Sequence, residues 1–277
     1  MKRSQVLRKT HRYKRKKSIF RNRIFWLGIL TLIIFLGIFY LICFSSFFQI
    51  KEIKISGNQK VSSENLQNIF STKMEKKILF FRTKSIFLVN SNEIKKDILD
   101  NFPQIAAVEV KRGFPDSLSI VATKRLGLAI WRRDEPALPA EGGPAEQCFL
   151  LDKEGIIFEE IQPRDDFIRI IDKKNTDSFT LGDKVIEKDS LDKILKIQKR
   201  LRDETKINAK DFVIFSDRLT IKTPESWEVY FDLTKDIDWQ LTKLNAVLDE
   251  KIPPEKRGNL EYIELRFGNF APFKYKD

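Results

Sequence analysis

IFWLGILTLIIFLGIFYLICF, Ile24 to Phe44, runs twenty-one residues without a charged side chain. As an α-helix it extends about 32 Å, enough to cross a hydrocarbon core of about 30 Å. Fifteen of its positions are Ile, Leu or Phe, residues that favour the bilayer centre by about 0.3–0.6 kcal/mol each. A buried core helix rarely stays apolar on every face for so long, and the apolar region of a cleaved signal usually spans about 7–15 residues. No small-x-small cleavage site follows, because the next residues are Ser45-Ser46-Phe47-Phe48. The stretch reads as a membrane anchor at 24–44, preceded by a tail at 1–23 and followed by some 230 residues on the other side.

Charge sets the expected orientation. The tail carries eleven Lys or Arg and no acid, whereas Phe44 to Asn58 carries only Lys51 and Lys54, offset in part by Glu52. The positive-inside bias then places the N-terminus in the cytoplasm and sends residues from about 45 onward across the membrane. The net charge of +12 belongs to this tail: without it 40 basic residues face 39 acidic ones. The tail therefore reads as a topology signal resting on anionic headgroups rather than as a nucleic-acid patch.

Few chemistries remain for the outer part. The sole His, His11, lies in the tail, which removes His-based triads and His-ligated zinc. No Gly-rich phosphate loop is present, and no cofactor or small-molecule substrate is expected. Cys43 sits in the span and Cys148 far along the chain, so a disulfide is not expected and Cys148 reads as a small buried hydrophobe.

The first seventy-five or so outer residues alternate in pattern. Gln49 to Ile55 reads as a strand, Ser56-Gly57-Asn58 as a turn needing positive φ, and Glu64 to Phe70 as a helix capped by Ser62 or Ser63. Lys73 to Lys84 reads as a loop. Glu93 to Phe102 is a second helix, with Ile94, Ile98, Leu99 and Phe102 on one face, stopped by Pro103. Strands at Ile105–Lys111 and Leu118–Thr123 flank the turn Arg112 to Ser117. The order strand, helix, helix, strand, strand is that of a two-layer module.

Beyond Leu126 a Pro-, Gly- and Ala-rich stretch, Arg132 to Gln147, reads as a mobile surface loop. A hairpin follows at Cys148–Asp152 and Ile156–Phe158, then a strand at Phe167–Ile171 and a helix at Leu191–Arg202. Further strands are expected at 211–215, 219–222 and 227–231. A helix is expected at about 237–249, with Trp239, Leu241, Leu244, Val247 and Leu248 inward. Two last strands are placed at 260–267 and 270–276.

Several of these residues resemble one family. Phe48-Gln49-Ile50-x-x-Ile53-x-Ile55-Ser56-Gly57-Asn58 and Phe114-Pro115-Asp116-Ser117-Leu118-x-Ile120 look like the POTRA domain of the FtsQ/DivIB bacterial cell-division proteins. Lys124-Arg125-Leu126-Gly127-Leu128-Ala129-Ile130-Trp131 is similar to the family's Glu-Arg-x-Pro-x-Ala-x-Trp junction, departing at Lys124 and Gly127. Tyr262-Ile263-Glu264-Leu265-Arg266-Phe267 resembles its Tyr-Ile-Asp-Leu-Arg-Tyr signature. The resemblance implies a membrane-anchored α+β protein with one N-terminal transmembrane helix. A β-α-α-β-β POTRA module is then expected at 47–124 and a mixed-sheet domain with two main helices at 125–277.

It also implies a non-enzymatic divisome scaffold in the plasma membrane at the septum. Its partners would be FtsB-like and FtsL-like bitopic division proteins and the lipid bilayer, with no nucleic acid. Phe267, Asn269, Phe270 and Tyr275 match the family's partner-binding positions, and Val110 and Arg112 its recruitment positions. Gly57, Pro115, Tyr262 and Arg266 have structural roles. The competing readings are sheet packing for Phe267 and Tyr275, a turn beside Gly268 for Asn269, a carboxylate partner for Arg266 and core for Val110. The proposed contact adds a partner strand to the edge formed by the last strand, with Pro272 limiting the ladder. Two other classes compete: a POTRA protein of assembly or secretion, and a wall hydrolase using Asp165-Asp166 or Glu159-Glu160.

Overall fold

A computed structural model describes residues 23–57, 76–78, 81–133, 147–174 and 178–276. The expected helix at 64–70 and most of the 132–147 loop lie outside the described residues. Helix α1, Arg23–Phe44, is long and apolar enough to cross a membrane. Its side chains are exposed or half-buried except at Cys43, as a lipid-facing helix requires.

The described residues form two compact units. The first contains α1, residues 45–54, a hairpin of β2 (Lys76–Ile78) and β3 (Phe81–Thr83), residues 84–90, and the tip at 111–119. The hairpin is a correction to the expected 73–84 loop, and it pairs in register from Lys76↔Thr83 to Ile78↔Phe81. A run of only three residues per strand has too little alternation to stand out in a Lys-rich sequence.

The second unit contains residues 55–57 and 91–110 and all described residues from Ile120 onward. Helix α2, Ser91–Asn101, buries Ile94 and Ile98. A three-stranded sheet has the order β1-β5-β4, from β1 (Glu52–Ser56), β4 (Ile105–Gly113) and β5 (Ser117–Lys124). Strand β5 buries Leu118, Ile120 and Ala122, the alternation expected of a sheet with one covered face. Pro115 follows a cis peptide bond. Gly57 holds φ at 94°, and a Cβ there would stand 2.4 Å from the Ala122 carbonyl oxygen. Gly57→Ala is therefore expected to cost about 1–3 kcal/mol, read as a lowered melting temperature.

Nine strands form the large sheet in the order β14-β13-β12-β11-β10-β9-β6-β7-β8. They are β6 (Ala129–Arg133), β7 (Cys148–Leu151), β8 (Ile157–Ile161), β9 (Ile168–Asp172), β10 (Asp211–Ile214), β11 (Leu219–Lys222), β12 (Glu228–Phe231), β13 (Leu260–Glu264) and β14 (Phe273–Tyr275). β6 is an interior strand that the sequence reading left unassigned, parallel to β9 and antiparallel to β7. The last strand is shorter than the expected 270–276, because residues 265–272 form an irregular connection.

Helices α3 (Lys188–Arg200) and α4 (Ile237–Glu250) cover one face, and a short α5 (Pro254–Arg257) precedes β13. Leu191, Ile194, Ile197, Leu241, Leu244 and Leu248 meet Phe212, Val229, Phe231 and Ile263 in the core. Each such fully buried side chain contributes about 1.5–3 kcal/mol. Asp236 caps α4 by accepting from the amides of Asp238 (2.8 Å) and Trp239 (3.2 Å). Cys148 is buried, as its apolar surroundings suggested.

Candidate protein-docking edge

Strand β14 ends the large sheet and, among the described residues, pairs only with β13. The Pro272 carbonyl accepts from the Glu264 amide at 2.8 Å, and the Lys276 amide donates to the Asn259 carbonyl at 2.8 Å. In an antiparallel strand the N–H and C=O of one residue point the same way, and consecutive residues alternate. Residues 272 and 276 therefore face β13, and the main-chain groups of Phe273 and Tyr275 point to the open edge. The amide that Pro272 lacks belongs to the β13 side, so this proline does not interrupt the outward row.

The turn leading into β14 is held from beneath by a buried lysine. Lys243, on the inward face of α4, donates to the carbonyls of Leu265 (2.7 Å), Phe267 (3.3 Å), Gly268 (3.0 Å) and Phe270 (3.3 Å). Burial and the nearby charge of Lys235 push its pKa below the ordinary lysine value, while Glu264 opposes them. Lys235 adds a bond to the Arg266 carbonyl at 2.7 Å. Gly268, at φ 43°, lets the chain reverse above these cations.

With its backbone drawn inward, the turn presents its side chains outward. Phe270 is 80% exposed and Phe267 59%, and Asn269 is exposed between them. The Arg266 guanidinium lies 5.1 Å and the Lys235 ammonium 5.9 Å from the Phe267 ring centre, which fixes the ring by cation–π attraction. Tyr275 is half-buried against the core and meets Phe273 edge-on at 5.6 Å.

Arg266 is held by two carboxylates. It binds both oxygens of Glu264, at 2.9 and 2.8 Å, and reaches Asp217 at 2.7 Å. The hydrogen bond to Glu264 raises its pKa further. Tyr262 stacks on Tyr230 with ring centres 5.3 Å apart. Burial, then a hydrogen bond to Glu228, pushes the Tyr230 hydroxyl up to about 12.

The sequence-derived candidates thus fall in two places. Phe267, Asn269, Phe270 and Tyr275 share the turn and edge strand. Val110, half-buried, and Arg112, exposed, lie on β4 in the small sheet, where the Arg112 guanidinium donates to the Val89 carbonyl at 2.7 Å. Two residues were missed. Lys243 showed itself only as a charge among the inward positions of α4. Trp239, expected inward, is 47% exposed.

A cleft of about 330 Å³ opens beside β9 and β10, lined by Trp131, Asp172, Glu187, Asp217, Arg218 and Asp232 among others. Its carboxylates are engaged within the protein: Asp172 accepts from the Lys174 amide, Glu187 pairs with Lys184, Asp217 with Arg266 and Asp232 with Thr234. Neither Asp165-Asp166 nor Glu159-Glu160 lines it. Among the described residues no group of three or more His, Cys, Asp or Glu is placed to hold a metal ion.

Residues 48–125 match the family model of the POTRA domain, FtsQ-type. No curated protein matches the chain. An FtsQ-type POTRA domain that follows the one helix among the described residues long and apolar enough to cross a membrane supports a place in the FtsQ/DivIB family and points to a role in cell division.

Proposed function

We propose that this protein is a single-pass divisome scaffold whose β14 edge captures a strand from a bitopic division protein of FtsB or FtsL type. The tail stays in the cytoplasm, the two folded regions stand outside the membrane at the septum, and the scaffold helps regulate septal wall synthesis without catalysing it. One observation supports this reading most. The last strand of the large sheet directs the main-chain groups of Phe273 and Tyr275 to an open edge, beside the exposed rings of Phe267 and Phe270. Main-chain bonds to such an edge supply affinity, and the flanking aromatic side chains supply selectivity. On this reading Val110 and Arg112 belong to a second, recruiting contact.

Photo-crosslinking in the native cell from a probe at Asn269, with mass spectrometry of the captured species, tests the proposal. Capture of a small single-pass coiled-coil protein is the expected outcome. Capture from a control probe at Arg112 with none from Asn269 would show that β14 is not the docking edge.

A further inference from the structure

We propose that Phe47, Phe87 and Phe114 form a membrane-interface contact that seats the base of the POTRA domain among phospholipid headgroups. The proposal rests on reading Arg23–Phe44 as a membrane span. The end of that helix is capped by the protein itself. Thr83 Oγ1 donates to the Cys43 carbonyl, Ser85 Oγ to that of Ile42 at 2.7 Å and Gln49 Nε2 to that of Phe44 at 3.3 Å. These bonds satisfy carbonyls that a helix end otherwise leaves open. They hold residues 83–85 within hydrogen-bond reach of the last turn of the span, and Cys43 is buried as a result.

Four rings run outward from that point. Phe47 meets Phe48 at 5.0 Å, Phe48 meets Phe87 at 5.2 Å and Phe87 meets Phe114 at 5.4 Å. Phe48 is half-buried, while Phe47, Phe87 and Phe114 are 59%, 40% and 61% exposed. The Lys51 amide donates to the Asp116 carbonyl at 2.9 Å, which brings the 114–116 tip beside the chain only seven residues past the helix. Phe47 is three residues beyond Phe44, so it lies within about 10 Å of the helix end. The headgroup layer is about 5–8 Å deep on each side.

Continuity with the span and the local charge both identify the occupant as lipid. Aromatic residues collect at the level of the headgroups, where an apolar ring meets a wet boundary. In the same unit, residues 45–54, 84–90 and 111–119 carry Lys51, Lys54, Lys84, Lys111 and Arg112 against Glu52 and Asp116, an excess that suits anionic phospholipid.

The test places benzoylphenylalanine singly at Phe35, Phe87, Phe114 or Phe270 in the full chain, reconstituted in phosphatidylcholine–phosphatidylglycerol vesicles. Phe35, mid-span, reports whether the helix is inserted. Phe270 is an exposed ring in the second unit. Phospholipid adducts from Phe35, Phe87 and Phe114, and none from Phe270, are the expected result. Adducts from Phe35 alone would overturn the interface contact and leave the span intact. Absence of adducts even from Phe35 would overturn the membrane reading itself and this proposal with it. Dimeric protein adducts from Phe87 or Phe114 would assign the rings to a second copy of the chain instead.

Discussion

Asp152→Ala is expected to destabilise the protein by about 3–5 kcal/mol, the cost of leaving a buried charge without its partner. Arg125 and Asp152 are both buried, and Arg125 Nη1 bonds to Asp152 Oδ2. The rest of the guanidinium is engaged with backbone: Nε donates to the Pro103 carbonyl at 2.9 Å and Nη2 to that of Ile105 at 3.2 Å. The other Asp152 oxygen accepts from the amides of Glu154 (3.0 Å) and Ile156 (2.9 Å), closing the turn between β7 and β8. One carboxylate therefore organises a turn and neutralises the cation that ties the start of β4 to β7. Urea unfolding of the full chain in detergent micelles, followed by Trp fluorescence, measures the loss. Pairing Asp152→Leu with Arg125→Met should cost less than the two single changes added, because no buried charge is then stranded. Strict additivity would show that the ion pair contributes nothing.

Lys243→Met is expected to leave the core of the large sheet intact and release the turn at 265–270. The ammonium serves four carbonyls at once, and a thioether of similar length fills the channel without donating. Water reaches part of this exposed turn and offsets some of the loss, so about 2 kcal/mol of local stability is expected to go. That is roughly a thirtyfold rise in amide exchange at residues 266–271, since 1.4 kcal/mol is about tenfold. Amides of α4 and β12 should be nearly unchanged. Lys243→Arg is not expected to restore protection, because a planar fork cannot converge on four carbonyls as a compact ammonium does. Protection unchanged by Lys243→Met would mean that the turn is held by Gly268 and the β13–β14 ladder alone. On the proposed function, the same change should weaken partner capture from Asn269 while leaving capture from Arg112 intact.

Much of the fold was legible because it obeys one-dimensional periodicities. The span announces itself by length and absence of charge. β5 announces itself by Leu118, Ile120 and Ala122 at every second residue, and α3 by Leu191, Ile194 and Ile197 at helical spacing. Ala129–Arg133 failed that test. A strand buried between two neighbours shows no polar alternation, and the adjoining Pro- and Gly-rich stretch obscured its end. The motif that marked Arg125 and Trp131 located the segment but carried no information about its partners.

The sequence by itself determined an apolar helix long enough to span a membrane, the charge asymmetry across it, most of the strands and helices, and the stretch Tyr262–Phe267 as a place of interest. Those properties are local, written in composition and in spacings of two to four residues. Tertiary structure decided which of those residues face outward. It turned Tyr275 toward the core and Phe270 toward solvent, gave Lys243 its four carbonyls from a segment more than twenty residues away, and left β14 rather than an interior strand at the edge. Pairing order and the convergence of distant groups depend on contacts between segments far apart in the chain, and no local spacing encodes which segment will arrive.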